Sequence, residues 1–243
     1  MPKTRPVSET VRRRRPAAGG YPRGDETRSR IIAAALEVFA ANGFGGASTR
    51  MLAASAGVTL PALNYYFDSK VGVYLACAEH IAERMQAHLG AVTAHVAKTL
   101  AQEQPSSAQL LDMLVEFLDQ LTDLFLGEHE LEKWVLFIIR EQARPTKAFD
   151  ILFDRIMRRV FGACSALVGR LLNRPDTERE VRIRTLALIG RIIFLRTARE
   201  AALRVLDWPD FDDQRLALVK DVLQAAVAAE FGAGRNSMRR SGS

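Results

Sequence analysis

The sequence predicts an all-α protein of about nine helices, on three observations. Apolar residues recur at helical spacing through most of the stretch from Asp25 to Ala229. There is no β-hairpin signature, and no period-two alternation runs long enough to build a sheet. Glycines, prolines and hydroxyl-bearing residues interrupt the apolar stripes where helices must start and stop.

In chain order, residues 1–24 hold four prolines, three glycines and the run Arg12-Arg13-Arg14-Arg15, with almost no bulky apolar side chain, which reads as a disordered basic arm. Ile32, Ala35, Leu36 and Phe39 then mark a first helix over roughly 26–42, ended by Asn42-Gly43. Ser48 caps a short second helix that Gly57 stops, and Thr59 caps a third with Pro61 in its first turn, where a missing N–H does no harm. Ser69 opens a long fourth helix through Leu75, Ile81, Met85 and Leu89 towards Leu100.

Gln102 to Ser107 reads as a linker. A helix through Leu110, Phe117 and Phe125 ends at Gly127, and another through Leu131, Trp134 and Ile138 ends before Pro145. A helix through Ile151, Ile156, Val160 and Leu167 stops near Pro175, and two more span about 177–206 and 211–229. Residues from Gly232 onward read as a disordered tail.

Composition narrows the class. With 243 residues, 48% hydrophobic and 26% charged, the chain is long enough for one large or two modest cores. No apolar run reaches spanning length and no secretory leader is evident, so the expected location is the cytoplasm, away from the membrane. Cys77 and Cys164 stand alone in apolar patterns and are expected to be reduced core thiols. Charge is uneven: residues 1–75 carry 11 Lys and Arg against 5 Asp and Glu, whereas residues 76–230 carry 20 against 23. Such a division suggests a polyanion-binding end joined to a body with another task.

The strongest constellation lies in the three short helices of residues 26–67. Counted as a helix-turn-helix from Thr49, Ala53 is the small residue at the close helix crossing and Gly57 the turn residue that needs positive φ. Leu52, Ala56, Val58, Leu63 and Tyr66 fall on the buried positions. Such a unit lays the start of its second helix in the major groove, which selects Thr59, Leu60, Pro61, Asn64 and Tyr65 as groove-facing. Asn64 suits a bidentate contact with adenine, and Leu60 and Pro61 a thymine methyl. Tyr65, Arg50 and Lys70 suit phosphate oxygens.

These residues resemble a known family. Phe39, Gly43-Phe44, Thr49-Arg50-Met51-Leu52-Ala53, Ala56-Gly57-Val58 and Leu63-Asn64-Tyr65-Tyr66-Phe67-Asp68-Ser69-Lys70 look like the DNA-binding domain of TetR-type transcriptional regulators over about a fifth of the chain. The resemblance implies a homodimer on a palindromic operator, more often a repressor than an activator. It also implies a C-terminal helical domain that binds a small effector and dimerises through its last two long helices. Family members mostly carry an aromatic residue where this chain has Asn64. The domains expected are then 25–72 for DNA binding and 73–231 for effector binding and dimerisation. Arg140 to Pro145, Ala148-Phe149-Asp150 and Arg196 to Pro209 are similar to a subgroup of the family linked to sensing of antibiotics and other xenobiotics, which implies derepression of efflux or detoxification genes.

Within the body, Phe117, Leu121, Phe125, Trp134, Phe137 and Phe194 are candidates to line an effector pocket, although large apolar side chains at this spacing are more often core. Arg191 stands inside the apolar run Leu186–Leu195 and must either pair with a carboxylate or meet a polar ligand. The same run and the stripe Leu216, Val219, Val222, Leu223, Ala226 are more apolar than one covered face needs, as a four-helix dimer contact would require. His80, His88, His95 and His129 lack carboxylate or cysteine companions at ligand spacing, so neither metal nor cofactor is expected. No nucleophile motif or phosphate-binding loop supports an enzyme. Two other readings stay open: an architectural DNA-binding protein without an effector, and an all-helical ligand carrier or enzyme with an incidental basic head.

Overall fold

The computed structural model describes residues 22–127 and 131–232. Most of the expected basic arm, including Arg12 to Arg15, lies outside the described residues, as do His129 and the tail beyond Gly232. Every regular element among the described residues is helical.

Three helices form the N-terminal head: α1 (Pro22–Gly46), α2 (Thr49–Ser55) and α3 (Leu60–Phe67). Short polar side chains start the second and third as the sequence requires. Ser48 Oγ accepts the Met51 N–H at 3.2 Å, and Thr59 Oγ1 accepts the Ala62 N–H at 3.3 Å. Each such cap contributes about 0.5–2 kcal/mol relative to alanine. Between them Gly57 takes φ 62°, Val58 N–H bonds back to the Ala53 carbonyl at 3.0 Å, and buried Ala53 lets the two helices cross closely. Ile31, Ala35, Phe39, Leu52 and Leu63, all essentially inaccessible, fill the space among the three helices.

Ser69 then caps α4 (Lys70–Gln102), which leaves the head and runs the length of the body. A reciprocal Ser106–Gln109 capping box opens α5 (Ser107–Thr122), which continues into a π-helical turn at Asp123–Gly127. After it come α6 (Leu131–Ala143), α7 (Lys147–Leu152), a second π-helical turn at Phe153–Met157, and α8 (Arg158–Leu172). The chain ends with α9 (Arg179–Thr197), α10 (Arg199–Leu206) and α11 (Asp213–Gly232). One apolar core runs without a break from Ile31 in the head, along α4, to Val227 in α11. A smaller cluster of Leu126, Ala202, Leu203, Phe211, Leu216 and Val219 seats α10 and the start of α11.

The expectation of about nine helices differs from these eleven for two local reasons. The helix read from Ile151 to near Pro175 is divided by the π-helical turn at Phe153–Met157. The segment 177–206, also read as one, breaks at Ala198 (φ −102°, ψ 31°), where neither glycine nor proline signals a stop. The first helix also starts earlier and ends later than 26–42, because Pro22–Gly24 form its first turn and helical residues resume beyond a kink at Gly43.

Candidate DNA-binding head and effector cavity

The groove-facing candidates Arg50, Thr59, Leu60, Pro61, Asn64 and Tyr65 are all exposed, while Leu63 and Phe67 on the other side of α3 are buried. Periodicity explains the division: Leu63 and Phe67 are four apart and anchor α3, leaving Asn64 and Tyr65 to point outward. Tyr65 is 73% exposed and meets the Tyr66 ring edge-on at 5.3 Å. Lys70, placed by the sequence among phosphate contacts, is half-buried. Its ammonium donates to the carbonyls of Phe44 and Ala47, each at 2.9 Å, and lies 4.4 Å from the centre of the Phe44 ring. Two of its three N–H bonds therefore secure the end of α1.

A second cation holds α1 from the body. Gly43 (φ 66°, ψ 175°) kinks the helix, and Arg140 of α6 donates through Nη2 to the Ala40 carbonyl at 2.9 Å. Lys133 of α6 also pairs with Glu37 of α1. Beneath this junction the Tyr74 ring packs on Phe39, Phe44 and Phe137 at 4.8, 5.0 and 4.4 Å. Its hydroxyl donates to Glu141 at 2.7 Å. Glu141 is 2% exposed and also accepts from Thr146 N–H, Thr146 Oγ1–H and Phe149 N–H at 2.9–3.0 Å. Four donors compensate for burying the carboxylate. Burial, reinforced by the bond to Glu141, pushes the Tyr74 phenol well above its usual range.

The body holds a partly open cavity of about 270 Å³. Met85 and Leu89 of α4, Leu121 of α5, and Val135, Ile138, Ile139 and Gln142 of α6 form much of the wall. Leu186, Ile189, Ile193, Arg196 and Thr197 of α9 close another side. Both π-helical turns contribute, through Phe125 from the first and Ile156 with Met157 from the second. An extra residue in a helical turn re-aims side chains that a regular helix would place elsewhere, and such turns are frequent at functional sites.

Of the side chains selected from sequence, Leu121 and Phe125 line this cavity. Phe117 is sealed in the core, and Trp134 and Phe137 lie on the side of α6 turned to His80 and Tyr74. Phe194 is 62% exposed on α9. Arg191 has the carboxylate partner that was one of its two alternatives: Nη2 lies 3.3 Å from Glu230 of α11, which also receives Arg184 at 3.0 Å. Residues that sequence reasoning passed over are the aliphatic α6 positions, indistinguishable from core by spacing, and Arg196, five residues beyond Arg191.

Elsewhere, Ile183, Leu186 and Phe194 of α9 and Leu218 and Val222 of α11 are large apolar side chains exposed on the last long helices. Among the described residues no group of three or more His, Cys, Asp or Glu side chains could hold a metal ion, and no helix is long and apolar enough to cross a membrane. Cys77 and Cys164 are both free and buried; burial raises both thiols, Cys164 to about 12.

Comparison with known proteins agrees with this architecture. Residues 31–77 match the family of bacterial regulatory proteins of tetR type, and residues 109–234 match the C-terminal domain of the HTH-type transcriptional dual regulator CecR. The CecR protein of Shigella flexneri is 28% identical over 205 residues, covering 84% of this chain and 91% of that one. A TetR-family regulator from Mesorhizobium loti shares the fold at TM-score 0.54 and 18% identity, over 86% of this chain and 96% of its own. So does FadR of Bacillus subtilis, solved with stearoyl-CoA, at TM-score 0.52 and 15% identity over 82% and 96%. The chain belongs to the TetR family of bacterial transcriptional regulators, in the branch that carries a CecR-type C-terminal domain.

Proposed function

We propose that the protein is a cytoplasmic, dimeric, one-component regulator, acting as a repressor, that places α3 of each protomer in successive major grooves of a palindromic operator and is released when a small molecule enters the cavity between α4, α6 and α9. Residues 25–72 form the DNA-binding unit and 73–231 the effector-binding and dimerisation unit. Asn64 reads a base edge, Thr59, Leu60 and Pro61 meet the groove floor, and Tyr65 and Arg50 contact phosphates. Lys70 acts mainly through α1, with its remaining N–H turned to the backbone of the duplex. The exposed apolar side chains of α9 and α11 pair with those of a second copy, which supplies the second recognition helix.

The observation that carries the effector half of this reading is the double duty of α6. Val135, Ile138, Ile139 and Gln142 line the cavity, while Lys133, Phe137, Arg140 and Glu141 hold α1 and Tyr74. A ligand that prefers one setting of α6 therefore biases one setting of the head, with α4 as the second lever. A fold neighbour solved with a bound acyl-CoA, FadR, is consistent with a cavity-type effector site in this architecture.

Selection of a binding site from random duplexes, followed by affinity measurements, tests the DNA half. Asn64→Ala should weaken the selected site by about ten- to a hundredfold and relax the preference at one base pair. Affinity that is the same for selected and random DNA would replace this reading with the architectural one.

A further inference from the structure

The mouth of the cavity opens beside the bare face of α9. Of the lining residues, Ile139 and Gln142 of α6 and Leu186, Gly190 and Thr197 of α9 are exposed, so the opening lies between these two helices. Leu186, Gly190 and Thr197 recur at i, i+4 and i+11, close to one line along α9. Next to that line stand Ile183, Ala187 and Phe194, also exposed, and the strip they form together carries no charge. The cations along its α11 side, Arg184 and Arg191, both end on Glu230 at 3.0 and 3.3 Å. Neither asks for an acidic partner. The strip also holds a hole and a knob one turn apart. A Cβ at Gly190 would meet nothing within 4 Å, whereas Phe194, four residues on, is 62% exposed and forms no part of the wall of its own cavity.

We infer that the cavity is completed by the second copy: two α9 helices cross antiparallel about a two-fold axis midway between Gly190 and Phe194, and the partner's Phe194 fills the space above Gly190 and closes the mouth. This rests on the proposed dimer and on the cavity being the effector site. In an isologous contact a residue that meets another on the partner is met by it in turn, so one knob and one hole on a single face complete each other twice. Glycine, with no Cβ, lets the ring come down onto the α9 backbone. An effector then buries part of its surface against the second copy. Its binding and dimerisation strengthen each other by the same factor at each site.

The test combines sedimentation of the full chain with titration of the fluorescent probe 1-anilinonaphthalene-8-sulfonate. Phe194→Ala removes the knob and Gly190→Phe fills the hole, and each alone should weaken the dimer about tenfold or more. The two together exchange knob and hole, and should return the dimer to within about threefold of wild type. At protein concentrations where sedimentation still shows a dimer, Phe194→Ala should bind the probe about tenfold more weakly, the scale of losing one ring from an apolar wall. A further arm needs no substitution: saturating probe should strengthen the wild-type dimer by about tenfold for each of its two sites, whereas dye adsorbed on a bare monomer face would weaken it. Additive weakening in the double variant overturns the contact between Gly190 and Phe194, and equal probe affinity in the wild-type and Phe194→Ala dimers overturns closure by the partner. In both cases the dimer and the effector cavity remain. A wild-type dimer that the probe leaves unchanged or weakens overturns the inference as well. A wild type that stays monomeric removes the proposed dimer, one that binds no probe removes the effector cavity, and this inference falls with either.

Discussion

Gly43→Ala probes the joint between head and body, and its cost can be worked from geometry. At φ 66° and ψ 175° the residue occupies backbone space that is essentially reserved for glycine. Alanine held there costs about 1–3 kcal/mol. The new Cβ would also stand 2.4 Å from Nη1 of Arg140. A guanidinium is the movable end of a long side chain, so it withdraws, and in doing so gives up the bond from Nη2 to the Ala40 carbonyl. A bond from a charged donor is worth about 1.5 kcal/mol at the low end, which suits a half-exposed site. The two together come to about 2.5–4.5 kcal/mol, a large share of the stability of an ordinary domain but not all of it. Urea denaturation of wild type, Gly43→Ala, Arg140→Met and the double variant separates the parts. Because both single changes forfeit the same bond, the double variant should be less destabilised than their sum by about 1.5 kcal/mol. A Gly43→Ala protein within about 0.5 kcal/mol of wild type would refute the strain, and additivity within the same margin would refute the displacement of Arg140.

Other perturbations reach the same scaffold from different sides. Glu141→Ala strands the donors of Tyr74, Thr146 and Phe149 and should cost about 3 kcal/mol or more, with Glu141→Gln milder; chemical denaturation reads both, and equal small losses would deny the carboxylate its role. Ile183→Asp with Phe194→Asp buries charge in the proposed dimer face and should shift sedimentation to the monomer with helix content unchanged; a persistent dimer would place the contact elsewhere. Asp119 is raised chiefly by burial, with the Gln224 hydrogen bond opposing. Its stability contribution is therefore present at low pH and is lost as pH rises through the folded value. Asp119→Asn should accordingly gain stability relative to wild type as pH rises above about 4, and a flat or falling difference would contradict the sign. Cys77 and Cys164, buried with raised thiols, should resist iodoacetamide at about pH 8 until the chain unfolds; mass spectrometry of the native protein counts the adducts, and rapid native labelling would contradict their burial.

The head was legible because its signals are local and chemically specific. Ser48, Thr59 and Ser69 cap as short hydroxyl side chains must, and Gly57 takes the one conformation that its place in the turn demands. The kink at Gly43 read as a stop, since a glycine after Asn42 is the usual helix terminator. What keeps helical residues beyond it is support from Lys70, 26 residues on from Phe44, and from Arg140, 100 residues on from Ala40. No window of sequence contains those partners. The cavity was harder still to read, because its aliphatic wall has the spacing of ordinary core and no local signal marks the π-helical turns that re-aim some of its side chains. Choosing aromatic side chains as pocket candidates favoured Phe117 and Phe137, whose size and position earn them full burial instead. For Arg191 the two readings stayed open because its partner Glu230 lies 39 residues on.

In the proposed mechanism the stiffness of the joint decides how a ligand is felt. Glu141 ties α6 to Tyr74 on α4 and to the start of α7 through four hydrogen bonds in a water-poor setting, so these three elements move as a block rather than slide past one another. Arg140 and Lys133 then attach that block to α1 at its C-terminal end and one turn earlier. A ligand has no need to deform the head. It has to favour a slightly different seat for α6, and the displacement reaches α3 as a rotation of the rigid three-helix unit. Coupling of about 1–3 kcal/mol, the ordinary range between two sites, already changes operator affinity by roughly 5- to 150-fold. Loosening the block should therefore uncouple sensing from binding before it abolishes either. In Glu141→Gln, affinity of the cavity for 1-anilinonaphthalene-8-sulfonate and affinity for the operator, measured separately, should stay near wild type while the effect of one on the other shrinks. Coupling that remains at full strength in that variant would place transmission in α4 alone.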